Sequence, residues 1–163
     1  MRRIALLGAH PASRSEAPFG DKNWEIWACS FRNLGQLPRH DLWFELHEPL
    51  GHEKYVTWLG RQPRVMVRSE RGRQWLPTAE VYPEAEMRDR FGPFFFTSSI
   101  AYMLALAIAQ EPVEIGLWGV QMVQGHEYAY QRPGCHYFFQ RAWDAGIKIT
   151  APRTILEPPR EDW

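Results

Sequence analysis

Apolar positions along the chain fall into short runs separated by polar, glycine- and proline-rich stretches, and two periods alternate between them. Arg3 to Leu7 opens with an apolar run that stops at Gly8, and Trp24 to Ser30 alternates before turning wholly apolar. Asp41 to His47 and the short run Arg64 to Val67 have the same β-branched and aromatic character, which predicts strands. Helical spacing appears in Leu50 to Leu59, Tyr82 to Arg90 (with Pro83 in its first turn) and Gly134 to Ala145, which Gly146 stops. The longest apolar run, Ile100 to Ala109, follows Thr97, Ser98 and Ser99. Their side-chain oxygens can cap a helix start, and apolar residues on almost every face predict a buried helix. Pro112 ends it, Val113 to Trp118 reads as a strand closed by Gly119, and Ile147 to Ala151 is the last strand.

Strands alternating with helices through 163 residues predict one α/β domain with a mostly parallel, doubly wound sheet. Residues 13–23 and 31–40 read as connectors. Residues 68–81 are irregular, the natural place for a mobile lid or a long loop, and the tail from Pro152 to Trp163 reads as extended. In such sheets ligands sit outside the carboxyl ends of the strands. That rule gathers Gly8 to Ser13, Cys29 to Arg32, Glu45 to His47, Thr97 to Ser99 and Gly119 to Arg132 at one edge.

Composition narrows the partners. Nineteen basic and nineteen acidic residues cancel, which gives no electrostatic case for nucleic acid or an anionic membrane. Aromatic residues are 14%, with eight tryptophans, and core mass is the preferred reading over stacking surface. Arg61, Arg64, Arg68, Arg71 and Arg73 crowd one span, read as a solvated loop rather than a polyanion site. No apolar run reaches membrane-spanning length. Met1 to Leu7 is too short for a signal-peptide core. Cys29 and Cys135 are therefore expected as free thiols in a cytoplasmic setting.

Candidate chemistry concentrates at the shared edge. The opening GAHPAS turn, Gly8 to Ser13, offers a tight glycine turn and amides for an anion, less the one that Pro11 lacks. His10 can meet a phosphate or a base edge, or simply face solvent. On β-strand alternation Glu45 and His47 share a face; a carboxylate that holds an imidazole makes it a usable acid or base. Tyr128 and Arg132, in the cluster from His126 to Arg132, could stack on and clamp a phosphate. No HExxH or Cys–His spacing calls for a metal, GAHPAS lacks the Walker lysine, and no serine sits in GxSxG. No motif in the chain calls for a cofactor.

The order of a strand running into GxxP, a strand ending in Ser30, TSSxxYxxAxAI, EIxLxGV and YAY resembles the bacterial CMP-sialic-acid-dependent sialyltransferases. It is similar also to motility accessory factor and hydroxymethylpterin pyrophosphokinase-like domains. FELH, SSxAYMLALAI, LWGV and EYAYQRP are similar to small Rossmann-like proteins of bacteriophages and prophages. The likeness is greatest over Phe96 to Tyr130. It implies a Rossmann-like three-layer sandwich with a nucleotide or nucleotide-sugar ligand and no further cofactor in the crevice, held by Gly8, Ala9, His10, Pro11, Ser30, Thr97 and Ser98; Ser99, Gly119 and Gln121 join them from their place at the strand ends. The resemblance assigns Tyr128 to the phosphate. The chain departs from the family at His10 and Ala12 in the opening turn, at Gln121 where an acid usually stands, and at Val123 where a first tyrosine falls. No segment aligns with the lid that carries the family's general-base histidine. The implied function is a nucleotide-dependent, glycosyltransferase-like enzyme with His47 and Glu45 as the acid/base pair. The alternatives are a non-catalytic phage nucleotide binder and a structural module, such as a homodimer, that keeps the fold without chemistry.

Overall fold

The computed structural model describes residues 1–48 and 50–158. Its sheet is built from seven strands: β1 (Arg3–Leu7), β2 (Trp24–Cys29), β3 (Leu42–Glu45), β4 (Val65–Val67), β5 (Glu80–Val81), β6 (Glu114–Trp118) and β7 (Lys148–Thr150). They lie in the order β5-β4-β3-β2-β1-β6-β7, and every neighbouring pair is parallel. The chain steps outward from β1 to β5, returns to pair β6 with the other side of β1, and ends on β7. The strand order therefore reverses between β1 and β6, and a crevice opens at that switch point.

Alternation along the strands assigns two cores. Ile4 and Leu6 of β1 join Trp27, Phe44 and the helices α3 (Glu84–Phe91), α4 (Ser99–Ala109) and α5 (Arg132–Asp144) on one face. Ala5 and Leu7 join Ile26, Trp43 and α2 (Glu53–Leu59) on the other. The result is the three-layer α/β sandwich that the resemblance implies, built on the parallel sheet that alternating strands and helices predict. Every residue of α4 from Ile100 to Ile108 is buried, because it lies between the sheet and its neighbouring helices; that is why its sequence is apolar all round. Ser98 caps it, accepting from the Ala101 amide at 3.1 Å. Trp27 and Trp43 are fully buried, and Trp24, Trp58, Trp75 and Trp118 pack against the second core, so most tryptophans are core mass.

Several stretches differ from the sequence reading. A short helix, α1 (Pro11–Arg14), spans the end of the opening turn and the start of the connector from residue 13. Residues 68–81 carry a 3-10 turn at Glu70–Gln74 and the edge strand β5, whose two residues are too few to show a period. Three of the crowded arginines are paired there, Arg64 with Glu80, Arg68 with Glu84 and Arg73 with Glu70. The tail, expected to be extended, folds into α6 (Arg153–Leu156), and His136 Nε2 lies 2.6 Å from the Ile155 carbonyl oxygen beside it; residues 159–163 of that tail lie outside the described residues. Before α5 the expected polar loop is already helical, a π-turn over Glu127–Gln131. Pro133 has no N–H to return to the preceding turn, and a widened turn accommodates that missing bond.

Candidate functional site

The switch point is built from two glycines pressed together. Gly8 follows β1 and Gly119 follows β6; a Cβ on either would overlap the carbonyl of the other. Gly119 also has φ +70, in the left-handed region. The turns interlock through Gly8 N–H to Trp118 O and His10 N–H to Gly119 O, both 2.9 Å. Two buried polar side chains complete the joint. Ser13 Oγ accepts the Gly119 amide at 2.8 Å, and Asn33 Nδ2 donates to Gly8 O at 3.0 Å and Cys29 O at 2.7 Å. Neither was legible as functional, since each is an ordinary polar residue in a polar connector until the strands come together.

Beside this joint lies a cavity of about 560 Å3. It gathers Gly8, Ala9, His10, Pro11, Ser30, His47, Thr97, Ser98, Ser99, Gly119 and Gln121, together with Arg32, Met122, Glu127 and Gln131 that were not singled out as site residues. A second cavity of about 620 Å3 sits at the opposite, amino edge of the sheet. Its guanidiniums are closed by carboxylates, Arg2 on Glu25, Arg39 on Asp41 and Arg64 on Glu80, so it reads as an ion-pair network. The carboxyl-edge cavity is the candidate site because it holds polar groups whose bonding capacity is not already used within the chain.

The opening turn is not the bare amide cradle expected of it. The Gly8 and His10 amides are spent on β6 and its turn, Pro11 has none, and the Ala12 amide donates to His10 Nδ1 at 3.2 Å. Among the described residues, the Ala9 amide is the one from Gly8 to Ala12 that has no partner within the chain. Donors for an anion come instead from the first turn of α4, where Ser98 satisfies only one amide, and from side chains. Ser30, also on the wall, has φ 80, a strained conformation for a residue with a Cβ.

Across the cavity His47 and Glu45 form the pair expected from their spacing. Glu45 is buried at the end of β3, and its Oε1 accepts from the His47 backbone amide at 3.1 Å and lies 2.8 Å from His47 Nδ1. Its other oxygen accepts from Tyr55 OH at 2.9 Å, and that hydroxyl in turn accepts from Trp43 Nε1 at 2.8 Å. The chain Trp43–Tyr55–Glu45–His47 thus runs from the core to a histidine whose side chain is 82% exposed. Glu45 itself does not line the cavity; it holds the residue that does. Burial, then the Glu45 charge, raises the Tyr55 phenol well above its usual range, so Tyr55 stays a donor. Cys29 is on the cavity wall, but burial first and Glu45 second push its thiol up to about 12, which makes it inert as a nucleophile.

Tyr128 and Arg132 are not brought to the cavity wall. Arg132 is buried, and its guanidinium donates to the carbonyls of Gln121, Met122, Thr154 and Glu157, the last at 2.6 Å. It lies 5.3 Å from the Tyr128 ring centre. Burial lowers its pKa despite Tyr128 and Glu157 nearby. The expected phosphate clamp is therefore a strut that fixes the loop after β6 and docks the tail. The cue to that role lies in residues 154 and 157, far away in sequence. Among the described residues no three His, Cys, Asp or Glu side chains gather as a metal site, and no helix is long and apolar enough to cross a membrane.

Sheet order and switch point define a Rossmann-like α/β domain with a crevice at its carboxyl edge. The chain matches no family model and no curated protein sequence. Solved structures do share its fold. One is the sialyltransferase CstII from Campylobacter jejuni in complex with a substrate analogue, CMP-3FNeuAc, at 14% identity and TM-score 0.66, covering 93% of this chain and 80% of that one. Another is sialyltransferase CST-II in complex with a trisaccharide acceptor and CMP, at 13% identity and TM-score 0.63, covering 92% and 80%. Thiamine pyrophosphokinase from Bacillus subtilis is similar at 13% identity and TM-score 0.55; the match covers 93% of this chain and 60% of that one. At these identities the likeness establishes a common fold.

Proposed function

We propose that the switch-point cavity binds a nucleotide and that the protein is a transferase of the glycosyltransferase type, using a nucleotide-activated donor. The observation that carries this reading is the presence, on one cavity, of the α4 N-terminus and a histidine held by a buried carboxylate. The first suits phosphate, and the second suits removal of a proton from an acceptor hydroxyl. The fold shared with a sialyltransferase crystallised with CMP compounds supports the same reading. In it the phosphate lies near Ala9, Ser98 and Ser99, while Ser30, Thr97, Gly119 and Gln121 shape the nucleoside side. His47 Nε2 takes the acceptor proton and Glu45 stabilises the imidazolium. The two buried free thiols suit a reducing, cytoplasmic setting.

One observation favours a second reading, a nucleotide binder without turnover. The two terminal nitrogens of the Arg132 guanidinium donate to carbonyls away from the cavity, so Arg32 is the arginine on the cavity wall. A thermal-shift screen with nucleotides and nucleotide sugars tests both readings. CMP at a hundred times its dissociation constant adds about 2.7 kcal/mol, and a rise of roughly 5–11 °C in Tm follows for a domain of this size. Release of CMP from a CMP-activated sugar then separates enzyme from binder. No shift with any nucleotide at millimolar concentration would sink both and leave the structural module.

A further inference from the structure

We infer that His10 is a fixed hydrogen-bond donor to the phosphate of the bound nucleotide, held in the tautomer opposite to that of His47. The inference rests on the nucleotide reading above and assigns the residue that selects phosphate. Both histidines line the same cavity, and each has one ring nitrogen committed within the chain.

The partners determine the tautomers. His10 is the N-cap of α1, and its Nδ1 receives the Ala12 amide at 3.2 Å. An amide only donates, so Nδ1 uses its lone pair there and the ring proton sits on Nε2. His47 faces the reverse constraint. Its Nδ1 lies 2.8 Å from Glu45 Oε1, and a carboxylate only accepts, so Nδ1 carries a proton, and in the uncharged ring the lone pair is on Nε2. Among the described residues neither Nε2 has a partner within the chain. One histidine therefore offers the cavity an N–H, and the other offers it a base.

The opening turn needs such a donor. Three of its amides are spent or missing, at Gly8, His10 and Pro11, and the fourth, at Ala12, is the one that fixes the imidazole. That bond uses the backbone donor of Ala12 to leave Nε2–H as the free donor of a side chain that lines the cavity. In the transfer step the acceptor oxygen bonds to the sugar's anomeric carbon, and its proton passes to His47 Nε2. The bond from that carbon to the phosphate oxygen breaks, and its electron pair leaves with the nucleotide. His10 Nε2–H bonds a phosphate oxygen throughout and keeps its proton, because losing it would leave an anionic ring.

The test compares CMP and cytidine binding by calorimetry in the wild type, His10→Ala and His10→Gln. A hydrogen bond to a charged group predicts about 10- to 100-fold weaker CMP binding in His10→Ala with cytidine binding unchanged. His10→Gln, whose amide can donate, recovers part of the loss. Wild-type affinity for the nucleotide in His10→Ala overturns the assignment; failure of the wild type itself to bind CMP or any other nucleoside monophosphate overturns the nucleotide reading beneath it. Long-range 15N spectra of the rings give an independent readout. Protonated Nε2 in His10 with protonated Nδ1 in His47 is the expected result, and one tautomer shared by both overturns the opposition.

Discussion

Gly119→Ala destabilises the protein by about 2–5 kcal/mol and lowers Tm by roughly 4–20 °C, the largest loss expected from adding one methyl group to this chain. Two costs combine. The residue has φ +70, where a Cβ is strained by about 1–2 kcal/mol. The new Cβ would also lie 2.8 Å from the Gly8 carbonyl carbon and overlap its oxygen; both are backbone and have no rotamer to move into. Overpacking of this kind adds about 1–3 kcal/mol. Gly35→Ala separates the two, since its φ is +68 but nothing lies within 4 Å of the added atom. It should cost only the backbone part. Gly20→Ala, in open space without a positive φ, should be close to neutral. Denaturant unfolding of the three variants orders them. Equal losses in Gly119→Ala and Gly35→Ala would mean that the two turns are not pressed together at the switch point.

His47→Ala lowers turnover of a nucleotide-activated sugar by about 10²- to 10⁴-fold, the range associated with a positioned acid or base. Because its side chain is 82% exposed, its removal leaves no cavity in the core, and CMP affinity and Tm should stay near the wild type. Glu45→Gln tests the other half. The amide can still accept from one partner, but it cannot stabilise an imidazolium, so turnover falls while the fold is retained. If Glu45→Gln and His47→Ala both lose activity, the double variant should lose little more, since the two act as a unit. Unchanged turnover in His47→Ala would place the proton transfer elsewhere.

Much of this was legible in the sequence where local pattern and tertiary role coincide. The buried helix α4 announces itself by apolar residues on every face and by Ser98 at its start. Gly8 and Gly119 end strands visibly, and the i, i+2 spacing of Glu45 and His47 brings them together at the end of β3 as alternation requires. Where meaning depends on distant partners, the pattern is silent. Ser13 and Asn33 become polar struts only when β1, β2 and β6 are adjacent. Arg132 looks like a phosphate ligand among tyrosines, yet carbonyls from both sides of it take up its guanidinium. The opening turn carried the right glycine, but which amides stay available was decided by the β6 turn beside it. β5 was missed because two residues have no period.

The central claim is that a nucleotide occupies the cavity between the β1 and β6 turns. Amide chemical-shift mapping of the 19.1 kDa chain during a CMP titration tests it most directly. The account predicts saturable shifts concentrated at Ala9, His10, Ser30, Ser99, Ile100 and the amides from Gly119 to Met122. Shifts gathered instead at the amino edge, around Trp24 and Arg64, would contradict it, and so would none at millimolar CMP or any other nucleoside monophosphate.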